Sequence, residues 1–539
     1  MHPPTRHSIS CLPLLLFALV LLALLGACSG VPRAVERPES TTLIAPADAP
    51  LPQLARRLAV PEGLSAVRPM PLPNDALAAR LALIAQARRS IDLQTYIVAD
   101  DTTGRLVLRA LRDAAARGVR VRVLLDDLYT TGLDDLLLGF AAHPNVELRL
   151  YNPFTATRGW WLGRLGQLAG DFRRLNQRMH NKLLVADGTL AIAGGRNLAD
   201  DYFLRSARAN FIDFDLLAAG ALVGDLARHF DAYWNSERAF PLQAVAGNRL
   251  DADERRAWFE WVSAAADGAA PPSGEMTATE SSSAAIDSPA ALLPMAPQAV
   301  RGHFGFFIAR AGARADPPNK RRGEHWQPEV GTVADQLITM LTSAQREITM
   351  VTPYFVPGDE GLKRIRALRE RGVAIHVVTN ATGTSDEPVV SLGYERHRVE
   401  LLKMGVRLWE VSASRLKRDD TLRAALGSST GRLHAKMGFI DRRLFLAGSM
   451  NLDARSALIN TEVGVAVDSP ALVAALIDFY RLEAAVGVYE LRLKGDGRSI
   501  EWVGRDAGGE ESLDDDPEAS WWLRAKLWLL SLIVPEDEL

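Results

Sequence analysis

From about Asp75 onward the apolar and polar positions of the chain switch between two periods. Leu77, Leu81 and Ile84 fall at helical spacing in a segment that runs to Arg89, and Ser90 to Val98 reads as a strand holding Tyr96. A second helix is expected from about Arg105 to Arg117. It stops at Gly118, because glycine takes the left-handed conformation that ends a helix at little cost. Val119 to Leu125 then reads as a strand running into Asp126-Asp127. The same order returns later as a strand over Ile348 to Phe355, a helix around Leu362 to Arg371, Gly372, and a strand over Val373 to Asn380. Strand, helix, glycine and strand twice over predict an α/β protein with two duplicated domains and largely parallel sheets.

The flanks read differently. Arg6 and His7 precede an apolar run from Cys11 to Leu25, which breaks at Leu25-Gly26-Ala27-Cys28. About 15 apolar residues are too few for a span that needs about 20. Residues 1–27 therefore read as a bacterial lipoprotein signal peptide, with Cys28 as the lipid anchor. This predicts a lipid-anchored protein of the bacterial cell envelope with its catalytic domains facing the periplasm; the inner and outer membranes both remain open. Residues 28–70 read as a tether, 71–245 as the first domain and 326–485 as the second. Between the domains, 246–325 reads as a linker or insertion, since Ala264 to Val300 is rich in Ala, Ser, Pro and Gly. The tail, 486–539, carries Trp521, Trp522 and Trp528 in a helical stretch charged only at Arg524 and Lys526. Such a helix suits either a membrane interface or the protein's own core.

Composition narrows the field of partners. A 539-residue chain with 48% hydrophobic residues and a net charge of −3 is globular, and it offers no electrostatic case for nucleic acid.

The chemistry lies in a repeated motif. His-x-Lys-x-x-x-x-Asp occurs at His180-Lys182-Asp187 and at His434-Lys436-Asp441, 254 residues apart (434 − 180). Asn197 and Asn451 each follow the His by 17 residues, behind the small pairs Gly194-Gly195 and Gly448-Ser449. Each His and Lys should share one face of a strand, with Asp187-Gly188 and Asp441 at the turn of a hairpin. Two imidazoles, two ammonium groups and two amides suit a phosphodiester. One His attacks phosphorus, the other handles the proton of the alcohol, and Lys and Asn hold the non-bridging oxygens. Each imidazole needs a carboxylate to fix its tautomer; Glu462 and either Asp213 or Asp215 stand at suitable positions. The candidate catalytic set is thus His180, Lys182, Asp187, His434, Lys436 and Asp441, although a backbone-binding role at the turns suits the two aspartates better than proton transfer. No cofactor is called for. Lys is not a usual metal ligand, and no second His stands at ligand spacing.

These residues resemble the phospholipase D superfamily, whose signature is this motif in each of two halves. Arg178-Met179-His180-Asn181-Lys182, Tyr233-Trp234-Asn235-Ser236, Pro353-Tyr354-Phe355 and the Trp-rich tail resemble, more narrowly, the bacterial cardiolipin synthases of the C type. The resemblance implies two α/β sandwich domains related by a pseudo-twofold axis, with one active site at their interface. It also implies transfer of a phosphatidyl group to phosphatidylglycerol, with phosphatidylethanolamine as an alternative donor, His180 as nucleophile and His434 as acid. A hydrolytic phospholipase D and a non-catalytic lipid-binding scaffold are the competing expectations.

Overall fold

The computed structural model describes residues 35–155, 161–246, 251–264, 304–321, 327–418, 423, 426–480, 487–506 and 508–531. The apolar run at Cys11 to Leu25, Cys28 and nearly all of the Ala264 to Val300 stretch lie outside these residues.

Each half forms a mixed sheet with strands in the same spatial order. In the first half the order is Ser65–Met70, Asp215–Gly220, Leu190–Gly194, Leu183–Ala186, Ser90–Thr95, Arg120–Asp126, Val146–Tyr151 and Ala239–Pro241. In the second it is Phe307–Ala315, Val463–Asp468, Leu444–Gly448, Met437–Ile440, Glu347–Val351, Ala374–Asn380, Arg407–Val411 and Val488–Leu493. Within these two sheets, among the described residues, the parallel pairs are those joined through helices, such as Ser90–Thr95 to Arg120–Asp126. The expectation of largely parallel sheets fails because each motif hairpin lies antiparallel on its neighbours.

The predicted helices form with small shifts at their ends. Thr102–Ala116 is capped by Asp101, whose side chain accepts from Gly104 N, and Gly118 follows at φ 89°. Gly358–Glu370 ends in the same manner, with Gly372 at φ 83°.

Segments assigned to tether, linker and tail supply strands. Ser65–Met70 is buried along its whole length and pairs with Phe307–Ala315, which joins the two sheets edge to edge. Its unbroken burial conceals the period-2 alternation that marks a half-exposed strand. The tail adds the meander Val488–Leu493, Ile500–Asp506 and Gly509–Leu513. A shared core fills the space between the sheets, with Val67, Phe214, Leu216 and Phe230 meeting Phe439, Phe445, Val465 and Leu472.

The expectation of a membrane-anchored lipoprotein with a signal peptide is corrected. Among the described residues, no helix is long and apolar enough to cross a membrane. The aromatic helix Trp521–Ser531 has 11 residues, about 16 Å at 1.5 Å per residue, against a hydrocarbon core of about 30 Å. Its Leu523 and Leu527 pack on Val389 and Leu392, whereas Trp521, Trp522 and Trp528 face outward.

Candidate active site

Both motif histidines sit just before the hairpin strands, not within them. The strands begin at Leu183 and Met437. The expected strand face is lost because each lead-in segment leaves its own sheet to hydrogen-bond with the other half. His180 N donates to Thr461 O (2.8 Å), and His434 N donates to Ile212 O (2.8 Å). The residue after each acceptor is a carboxylate. Glu462 Oε2 lies 3.0 Å from His180 Nδ1, and Asp213 Oδ2 lies 2.6 Å from His434 Nδ1. Each half therefore supplies the carboxylate that orients the other half's imidazole.

The five extra residues between Asn197 and Asp213, relative to Asn451 and Glu462, are absorbed before the crossing (213 − 197 = 16; 462 − 451 = 11). They lie in a stretch holding the 3₁₀ turn Asp200–Phe203 and the strand Ala209–Ile212, where the second half has the helix Ala454–Leu458.

Buried polar groups fix the lead-in segments. Asp126 accepts from Met179 N at 2.8 Å and pairs with Arg178 at 3.3 Å. At the matching place in the second half, Asn380 accepts from Leu433 N and donates to Leu433 O, both at 2.9 Å. Aromatic edges complete the support: Tyr96 meets His180 with ring centroids 5.0 Å apart, and Tyr202 meets His434 at 5.1 Å.

Lys182 and Lys436 are buried beside their histidines. Lys182 Nζ donates to His180 O at 2.6 Å, and Lys436 Nζ lies 2.9 and 3.0 Å from Nδ1 and Nε2 of His434. Burial pushes Lys182 down to about 7, against the pull of Glu462 and with help from Lys436. Lys436 is pushed down to about 8, again by burial. Burial brings His180 down to about 4 although Glu462 opposes it, and His434 is lowered by burial and Lys436. Asp213 and Glu462 move the other way from simple burial: His434 and His180 beside them hold both below the usual carboxylate range. Two neutral imidazoles with ionised partners result, each with Nδ1 committed to a carboxylate.

The remaining candidates divide. Asn451 is buried and its Oδ1 has no partner, while Asn197 spans Ile97 N and the Tyr202 hydroxyl. Asp215 does not reach either His; it pairs with Arg80 and Arg196, both at 3.0 Å. Asp187 and Asp441 are likewise removed from the imidazoles, which corrects their place in the catalytic set. Asp187 accepts from the amides of Arg88, Arg89 and Ser90, and Asp441 from those of Gln345, Arg346 and Glu347. Both aspartates sit at positive φ (54° and 53°), which the tight turn demands. Tyr96, Tyr202 and Ser449 were not among the candidates. Ser449 Oγ donates to Glu462 Oε2. Tyr96 stood in the sequence only as a residue of the strand Ser90 to Val98 and Ser449 only as a small residue ahead of Asn451, with no role attached to either.

A family model described as "Cardiolipin synthase, PLD-like domain" matches residues 81–234 and 337–482. The chain is 36% identical over 475 residues to cardiolipin synthase C of Escherichia coli (strain K12), covering 87% of this chain and 95% of that protein. It is 25% identical over 384 residues to cardiolipin synthase B of Salmonella typhi, covering 71% and 72%. Among solved structures, phosphatidylserine synthase of Haemophilus influenzae Rd KW20 matches 89% of this chain and 96% of its own, with a TM-score of 0.53 and 13% identity. That last likeness is one of fold.

Proposed function

The chain belongs to the phospholipase D superfamily, with its phosphatidyl-transfer or hydrolysis chemistry, and on that premise we propose that it makes cardiolipin by transferring a phosphatidyl group to phosphatidylglycerol. The two domains, residues 71–245 and 326–485 with sheets completed by flanking strands, are related by a pseudo-twofold axis and share one active site. The observation that carries this reading is the crossed pairing of His180 with Glu462 and His434 with Asp213. Neither half holds a complete imidazole–carboxylate pair alone.

In the first step Nε2 of His180, neutral and oriented by Glu462, attacks phosphorus. The bond from phosphorus to the headgroup oxygen breaks, and His434, which enters this step protonated on Nε2 with the anionic phosphodiester beside it favouring the charged form, gives the departing alcohol that proton and is left neutral. In the second step His434 takes a proton from the primary hydroxyl of phosphatidylglycerol. That oxygen attacks phosphorus and the P–N bond to His180 breaks. Lys182, Lys436, Asn197 and Asn451 hold the non-bridging oxygens as they gain charge. Asp187 and Asp441 hold the hairpins and move no proton. With phosphatidylglycerol as donor the leaving alcohol is glycerol; with phosphatidylethanolamine it is ethanolamine. Phospholipid substrates place this work in the bacterial cell envelope.

Purified full-length protein incubated with phosphatidylglycerol, alone and with labelled phosphatidylethanolamine, tests the reading by mass spectrometry of the lipids. Cardiolipin with release of the free alcohol is expected. Phosphatidic acid as the sole product would instead mean a hydrolase, and no turnover would mean a lipid-binding scaffold.

A further inference from the structure

A cleft of about 750 Å³ lies behind the His180 lead-in segment, lined by Asn176, Gln177 and a group of basic side chains. Five of its lining residues are cationic (Arg173, Arg174, Arg238, Lys320 and Arg321) and one, Asp171, is anionic. Two of the five charges are already answered within the protein. Arg174 pairs with Asp171 at 2.5 Å, and Lys320 pairs with Asp316 at 2.8 Å. For the side chains of Arg173, Arg238 and Arg321, no hydrogen bond or ion pair is present among the described residues. Arg238 is the telling case: its Nε and Nη1 are both buried and have no partner. Arg238 is half-buried, and a guanidinium with two of its three nitrogens covered keeps its charge, so an anion facing it offsets the hydration lost there.

We propose that this cleft is an effector site for a phosphate group, distinct from the phosphorus centre of the reaction. Three guanidinium groups from separate segments match the several acceptor oxygens of a phosphate, which planar N–H forks bind well. The volume falls in the range of small-ligand pockets, about 300–1,000 Å³. The site also touches the catalytic frame. Lys320 holds Asp316 Oδ2, and the same oxygen accepts from Glu462 N at 3.0 Å. Glu462 in turn orients His180. An anion settling beside Lys320 therefore bears on the carboxylate that fixes this imidazole. Inorganic phosphate and a lipid headgroup present the same chemistry to the cleft.

The test uses the full chain carrying Lys182→Ala, which weakens phosphate binding at the catalytic centre. Calorimetry with inorganic phosphate, and sedimentation with phosphatidylglycerol or phosphatidylcholine vesicles, are compared with and without Arg173→Glu or Arg238→Gln. Arg173 is exposed, so its variant should fold whatever Arg238 requires. Binding of inorganic phosphate that falls at least tenfold in either variant supports a site for free phosphate. No phosphate binding, but vesicle binding that needs the phosphatidylglycerol headgroup and falls in the same variants, supports a lipid headgroup. Affinities for both probes that Arg173→Glu leaves unchanged would overturn the proposal, whether or not the protein makes cardiolipin.

Discussion

The two seam crossings perform the same task with different amounts of backbone. Asp213 reaches His434 at the end of a four-residue parallel ladder, Ala209–Ile212 on Thr430–Leu433. Glu462 reaches His180 from a single bridge, Met179 to Thr461. The shorter carboxylate is held by the longer ladder and makes the shorter bond, 2.6 Å against 3.0 Å. Where the ladder is missing, the first half adds the buried Asp126–Arg178 pair, and Ser449 steadies Glu462. Side chains thus replace backbone pairing at one crossing, and the imidazole more tightly tied to its partner is His434. A duplicated motif does not imply duplicated support.

Replacing either imidazole should have the largest effect. His180→Ala and His434→Ala are each expected to lower kcat/KM by about 10⁴-fold, and the double variant should be little worse, because the two groups act as a unit. Additive losses in steady-state kinetics would separate the crossings into independent sites. Next come the orienting carboxylates. Asp213→Asn and Glu462→Gln keep the shape but present the wrong tautomer, and a loss of about 10²–10⁴-fold is expected for each. The ladder predicts that Asp213→Glu is tolerated worse than Glu462→Asp, since its backbone has less freedom to retreat. Equal effects in the two kinetic series would erase the contrast.

A smaller effect follows pH. Lys182 acts in its charged form, and its pKa lies at about 7. It is charged below that value and neutral above it, so kcat/KM should decline about tenfold per unit above pH 7 to 8, where Lys436 at about 8 follows. Lys182→Arg should keep its charge and move the start of that limb from about pH 7 to about pH 8, where Lys436 titrates. The smallest effect on chemistry is expected at the hairpin turns. Asp187 is fully buried and Asp441 is partly exposed. Asp187→Ala should cost about 3 kcal/mol of stability and Asp441→Ala about 1, by denaturant unfolding, from the loss of charge-assisted bonds to backbone amides. Turnover per folded molecule should stay near the parent's in both.

The sequence made the duplication legible because chemistry forces identity at His180, Lys182 and Asp187 and again at His434, Lys436 and Asp441. Helix ends were legible where glycine has a steric reason to stand, at Gly118 and Gly372. The crossing was not. Glu462 follows Asn451 in sequence and invites pairing within its own half; its partnership with His180 is set by a backbone bond to Thr461 that leaves no local pattern. Asp213 and Asp215 share a parity and were indistinguishable until Arg80 and Arg196 claimed Asp215. Ser65–Met70 and Phe307–Ala315 escaped because their pairing depends on each other's position, which local periodicity does not encode.

The most direct test asks whether both imidazoles serve one phosphorus. In His434→Ala the acid is gone, so a phosphodiester donor with a nitrophenolate leaving group bypasses it and leaves the intermediate in place. Mass spectrometry after a denaturing quench at alkaline pH, where a P–N bond to imidazole survives, should then find one phosphatidyl group per chain, on His180, with a matching nitrophenolate burst that His180→Ala lacks. Two labels per chain, or a full burst without His180, would contradict the account.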